Sequence, residues 1–207
     1  MRYLTVGILV LFLAAAPVMS EEIEVGSSEG VSDFPWGCCV FSLRYQVLVL
    51  QEEIGSAITI DKMAFRRTDF GIGDSLRLEE PRVYLALTDA DTLTDCFDTN
   101  YDPLTRDMVY SSSEMTAVAA PLEWVELQLH DDYFFPGDRN LLIEVSYSNA
   151  EADFQSCSWS ANDSRALWSS DPSSVDGYLI QTLPHMKLFG SLGLQPCTFA
   201  SVKKAFF

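Results

Sequence analysis

The sequence predicts an all-β chain folded as an antiparallel two-sheet β-sandwich. Three observations carry this. Apolar residues alternate with polar ones at period two in segment after segment, as in "PRVYLALTD" with Val83, Leu85 and Leu87, "EWVELQLHD" with Val125, Leu127 and Leu129, and "NLLIEVSYS" with Leu141, Ile143, Val145 and Tyr147. Between these segments stand turn residues: Ile72-Gly73-Asp74-Ser75, Pro136-Gly137-Asp138 and Asp176-Gly177. Helical periodicity is almost missing from the same stretch, and short punctuated strands of this kind pack as sandwiches.

Taken in order, residues 1–20 carry Arg2, an apolar run from Val6 to Ala16, Pro17, and small residues Val18 and Ser20. This is the pattern of a secretory signal peptide, a short apolar helix with cleavage expected after Ser20. The run is shorter than the roughly 20 residues of a membrane span. Residues 21–32, "EEIEVGSSEGVS", are acidic and rich in Gly and Ser and read as a linker. The sandwich is expected over 33–190.

Within it, "RYQVLVLQEEIGSAITIDKMAFRR" reads as strand, turn, strand, a hairpin of the scaffold. The first strand is apolar on nearly both faces, which places it centrally in a sheet. In the second, the apolar phase set by Ile58 and Ile60 changes at Met63-Ala64-Phe65, the mark of a bulge. The tail 191–207 offers a short helix capped by Thr198, with Phe199, Val202 and Phe206 on one face and Lys203 and Lys204 near its end.

Composition narrows the function classes. The 207 residues hold 13 Lys and Arg against 30 Asp and Glu, a formal net charge of −17. Such a chain repels phosphate backbones and anionic lipid, so nucleic acid is not an expected partner, nor is membrane insertion after signal cleavage. Of the five cysteines, Cys38, Cys39, Cys96, Cys157 and Cys197, an odd count leaves at least one unpaired within the chain. Cys96 with Cys157 is the pairing expected here. No C-x-x-C is present, which argues against zinc.

"FPWG", "RYQVLVLQEEIG", "ITIDKMAF", "RVYLALTDADTL", "FDTNYD", "WVELQL", "FFPGDRNLLIEV" and "HMKLFG" together resemble a β-sandwich module of secreted, often cell-surface-sorted bacterial proteins. The resemblance runs from Phe34 to Gly190. It implies a jelly-roll-like sandwich, akin to galactose-binding-like domains, that accompanies adhesin, protease or sorting modules. Here the module stands almost alone, without a catalytic neighbour. The tail also resembles the "T-W-x-x-I-K-x-x-F" endings of some exported bacterial proteins, which implies a docking or sorting tag; the alternative is a helix packed on the sandwich or a frayed end.

Three chemistries are weighed on particular residues. "CSWSANDSRALWSS" sets Trp159 and Trp168 either side of a polar loop carrying Asn162, Asp163 and Arg165. Indoles that stack on sugar faces, with those polar groups as hydrogen-bond partners, would make a glycan site, and the same tryptophans can instead fill the core. "DADTLTDCFDTNYD" supplies Asp89, Asp91, Asp95, Asp98, Asn100 and Asp102, hard oxygen donors that suit a structural calcium ion or simply a solvated loop. For catalysis no G-x-S-x-G elbow and no H-E-x-x-H is read in the chain, and only His130 and His185 could serve as bases. With 30 acidic residues, no carboxylate pair by itself marks a glycosidase.

The resulting expectation is a secreted, non-catalytic sandwich module without a cofactor. It acts outside the cell, at its surface or in the periplasm, on an extracellular protein or glycan. A carbohydrate-binding domain is the alternative, with a glycoside hydrolase behind it.

Overall fold

The computed structural model describes residues 20–37 and 41–192. The expected signal peptide, Cys38, Cys39, Cys197 and the capped tail helix lie outside the described residues. Two antiparallel sheets pack face to face, as the alternating segments predict.

The chain enters through β1 (Ser20–Val25) and β2 (Gly30–Ser32), then runs along β3 (Leu43–Val49), a single helical turn α1 (Gln51–Ile54) and the long β4 (Ile58–Glu79). After β5 (Arg82–Thr88), an acidic loop with a 3-10 turn at Phe97–Thr99 leads to β6 (Asp107–Ser111) and β7 (Glu114–Val118). The strands β8 (Trp124–Phe135), β9 (Asn140–Tyr147) and β10 (Asn149–Ser160) follow. Four short strands close the fold: β11 (Ala166–Ser169), β12 (Tyr178–Ile180), β13 (Thr182–Pro184) and β14 (Met186–Leu192).

One sheet is ordered β12-β11-β3-β9-β5-β6. The other is organised along β4, whose first half pairs β14 and β8 and whose second half pairs β10 and β7; β1 adds to β14, and β2 and β13 add to β10. The core between the sheets holds Trp36, Tyr45, Phe65, Phe135, Tyr147 and Phe154, all fully buried.

Four sequence expectations change here. The Arg44–Arg67 stretch is not a hairpin, because β3 and β4 belong to different sheets. Gly55, at φ 82°, ends α1 and turns the chain across the sandwich. Ile72–Ser75 does not reverse the chain: β4 continues through it, and the irregular register with β10 at Ala152–Ser156 absorbs the glycines. The chain turns instead at Glu80, whose φ is 50°.

The acidic segment 21–32 is not a linker. Ile23 and Val25 alternate into the core while Glu22 and Glu24 face Lys187 of β14, so a strand with polar outward positions was hidden by its composition. Finally, Cys96 and Cys157 are not bonded to each other, and among the described residues both are free thiols. Cys96 pairs with Asp176 in the loops outside the six-stranded sheet, whereas Cys157 sits in β10 of the other sheet and donates to the Arg67 carbonyl. The sandwich stands between them.

The bulge expected near Met63 is present, as the register of β4 with both neighbours slips between Ile60 and Lys62. β3 is central, as its two apolar faces predict. Its outer residue Leu48 joins Ala86, Leu142 and Leu167 in a second small core, covered by Leu93 and Phe97 of the acidic loop.

Candidate functional site

The acidic loop takes its shape from two distant arginines, Arg139 in the β8–β9 turn and Arg44 on β3. Arg139 donates to Asp89 at 2.9 Å and to Asp102 at 3.1 Å, and Arg44 donates to Asp98 at 2.9 Å. Asp91 accepts from the Asn140 amide at 3.0 Å. Asn100 is buried; its Oδ1 accepts from the Thr94 amide and its Nδ2 donates to Gln46. Asp95 contributes its backbone carbonyl, which accepts from Gly177.

The backbone amide of Leu104, and then Arg139, hold the Asp102 carboxyl below its ordinary range. Beneath the loop, Glu144 receives Gln46, Arg44 and Arg106, so a buried carboxylate is matched by charged donors. Of the six oxygen donors expected of calcium, five side chains are thus engaged by Arg139, Arg44, Asn140, Thr94 and Gln46, and Asp95 engages through its backbone carbonyl. Among the described residues, no group of three or more acidic, histidine or cysteine side chains is placed to hold a metal ion.

Of the five residues expected to meet a glycan, four come together. Trp159, Asn162, Asp163 and Arg165 line a cavity of about 270 Å³ with Leu50 and Asp91. A second cavity of about 540 Å³ shares Leu50, Glu52 and Asp91 with it. Arg165 is buried and forks onto Glu53, at 2.7 and 2.9 Å. Its guanidinium lies 5.2 Å from the Trp159 ring centroid, and the Gly26 backbone presses on the same indole so closely that a Cβ there would meet it at 2.0 Å.

The Trp159 ring is therefore a wall of the cavity, with little face left for stacking. Trp168 lies on β11, in the other sheet, between Phe34 and Tyr178 at 5.1 and 5.7 Å. The two tryptophans do not form one platform.

A third constellation escaped sequence reasoning. In the β1–β2 turn, Ser28 Oγ lies 2.8 Å from His185 Nδ1, and His185 Nε2 lies 2.7 Å from Glu24 Oε1. The imidazole is only 3% exposed, with Trp124 edge-on at 4.9 Å. Burial lowers the pKa of His185 below the ordinary histidine value against the pull of Glu24. Ser28 also lines a hollow of about 180 Å³ walled by Val31, Phe70 and Leu122. This corrects the expectation that the chain has no G-x-S-x-G spacing: Gly26-Ser27-Ser28-Glu29-Gly30 has it, inside the segment whose composition reads as linker.

No protein-family model matches the chain, and no curated protein matches it, so fold and sites rest on its own residues.

Proposed function

We propose that the chain is a secreted sandwich module that binds an extracellular or cell-surface partner at its loop end, and that the partner is a protein presenting lysine or arginine side chains. The observation that carries this is the pair of adjoining cavities around α1, which share Leu50, Glu52 and Asp91 and include Asp163 on the rim. Glu52, Asp91 and Asp163 are exposed carboxylates on a chain of net charge −17, so the field there favours cations. The likeness to jelly-roll modules of secreted, surface-sorted bacterial proteins, akin to galactose-binding-like domains, agrees with a binding role. Export rests on the signal-like residues 1–20.

A second reading is a carbohydrate-binding domain. It is favoured by one observation, that Trp159, Asn162, Asp163 and Arg165 share a cavity. With the indole faces occupied, a sugar would be held there by hydrogen bonds to Asn162 and Asp163 along its edge.

Surface-immobilised protein should retain short lysine- or arginine-containing peptides more strongly than neutral ones. Retention should fall steeply between low and physiological salt, since exposed charges are screened over about 8–10 Å. The double substitution Asp91→Asn with Asp163→Asn should abolish it. Salt-insensitive retention on a polysaccharide panel, lost in the same variant, would select the second reading.

A further inference from the structure

We propose that Ser28, His185 and Glu24 form a serine-hydrolase site for small uncharged carboxylic esters, with the hollow beside Ser28 receiving the acyl group. This goes beyond the binding role, uses other residues, and departs from the expectation of a non-catalytic module.

Ser28 stands at the middle of G-x-S-x-G in a turn that leaves β1 through Gly26 at φ 86°, a left-handed conformation that favours glycine. In hydrolases with this spacing the turn joins a strand to a helix and lifts the serine clear of the sheet. Here it joins two strands, so the comparison rests on geometry and roles, which is how such constellations are recognised on unrelated folds.

The geometry meets the roles of nucleophile, base and orienting acid, whereas the Glu29 amide that follows the serine donates to the Ser158 carbonyl. Ser28 is exposed while His185 is buried, so the nucleophile faces solvent and the base is shielded. The 2.8 and 2.7 Å contacts place the imidazole between hydroxyl and carboxylate in one hydrogen-bonded chain. With Nε2–H donating to Glu24, the Nδ1 lone pair faces the Ser28 hydroxyl, the tautomer a general base requires. Glu24 is held in turn by Lys187, which also pairs with Glu22. Burial keeps the imidazole neutral, and Arg66 and Lys187 add positive charge that acts in the same direction.

The hollow defines the substrate class. Val31, Phe70 and Leu122 give it apolar walls, and about 180 Å³ suits a short acyl chain. Glu29 and Asp69 line it too and would repel an anionic substrate. Leu122 is half exposed and held at φ 65°, a strained conformation for a residue other than glycine. Strain of this kind gathers where structure is fixed for a ligand.

In the reaction, Ser28 Oγ attacks the ester carbonyl carbon and its proton passes to His185 Nδ1. Glu24 stabilises the resulting imidazolium. Collapse of the tetrahedral adduct breaks the bond to the alcohol oxygen, which leaves with the proton from His185. Water then attacks the acyl-serine, again giving its proton to His185, and the carboxylic acid departs as Ser28 recovers its hydrogen. No electrons are transferred to or from an outside group.

The test uses the full chain with a fluorophosphonate probe and p-nitrophenyl butyrate. The expected result is one phosphonylated residue, Ser28, located by peptide mass spectrometry, and ester turnover that Ser28→Ala reduces to background at unchanged melting temperature. Glu24→Gln, a positioning change, should slow turnover by about 10²–10⁴-fold and displace the acid limb of the pH profile. Turnover should persist below the ordinary histidine pKa of about 6.5. If Ser28 takes no label, or Ser28→Ala leaves turnover unchanged, the serine is only a hydrogen-bond partner of a buried histidine and the proposal fails. Peptide retention at the loop end is read in a separate assay on the same unmodified chain, so the two readings fall separately.

Discussion

His185 governs how the fold answers acid. Its pKa is lowered chiefly by burial, with Glu24 pulling the other way. Between the unfolded value, about 6.5, and the lower folded one, the unfolded chain binds more protons than the native chain. Stability is therefore full above pH 6.5, falls as the pH drops through that value, and levels off below the folded pKa. At Glu24, desolvation is the largest influence and acts upward, yet the hydrogen bond and charge of His185, with Lys187, bring the net shift downward. Its contribution is present above the ordinary glutamate value and is lost as the pH falls through the lowered one. The melting temperature should thus decline in two steps between pH 7 and pH 3, and His185→Gln should remove the upper step. A single step in both proteins would mean that His185 titrates as a free side chain. The sequence shows that histidine is scarce; it could not show that Glu24 would meet one 161 residues away.

At the scale of elements, the acidic loop shows what spacing can and cannot disclose. Asp89 to Asp102 carry the donors a cation needs, and only the paired strands reveal that Arg139 and Arg44 reach the same carboxylates first. A guanidinium from a distant part of the chain leaves no trace in local sequence. The loop's apolar anchors are equally non-local: Leu93 and Phe97 cover Leu48 and Leu142 on the outer face of β3 and β9. By contrast, the alternation in β5, β8 and β9 is local, so those strands and the central place of β3 are legible. If arginines hold the loop, a calcium chelator should leave the melting temperature unchanged, because a ligand stabilises only when it is bound to the folded state. Arg139→Ala should raise amide exchange across residues 89–102 while costing about 0.5–2 kcal/mol overall, the range for partly exposed charge-assisted pairs. A drop of several degrees with chelator would restore the calcium expectation.

For the whole molecule, the decisive segment is the one whose composition looks least structural. β1 occupies the edge of the eight-stranded sheet along the full length of β14, from Ser20 against Ser191 to Val25 against Met186. Its Ile23 and Val25 enter the main core, and its Glu24 reaches His185. A compositional reading sees Gly, Ser and Glu, whereas the period-two placement of two β-branched residues is what the sheet uses. Each such side chain contributes about 1.5–3 kcal/mol on burial, and the pair is a large share of the 5–15 kcal/mol that holds a domain together. Removing the segment would also bare the ladder edge of β14, an invitation to pair with other chains. A chain beginning at Asp33 should therefore melt at least ten degrees below one beginning at Ser20, and should associate on concentration, as differential scanning calorimetry and light scattering would record. Equal melting temperatures and a monomeric truncated chain would return residues 21–32 to the status of a linker and remove the structural basis for a site containing Glu24 and Ser28.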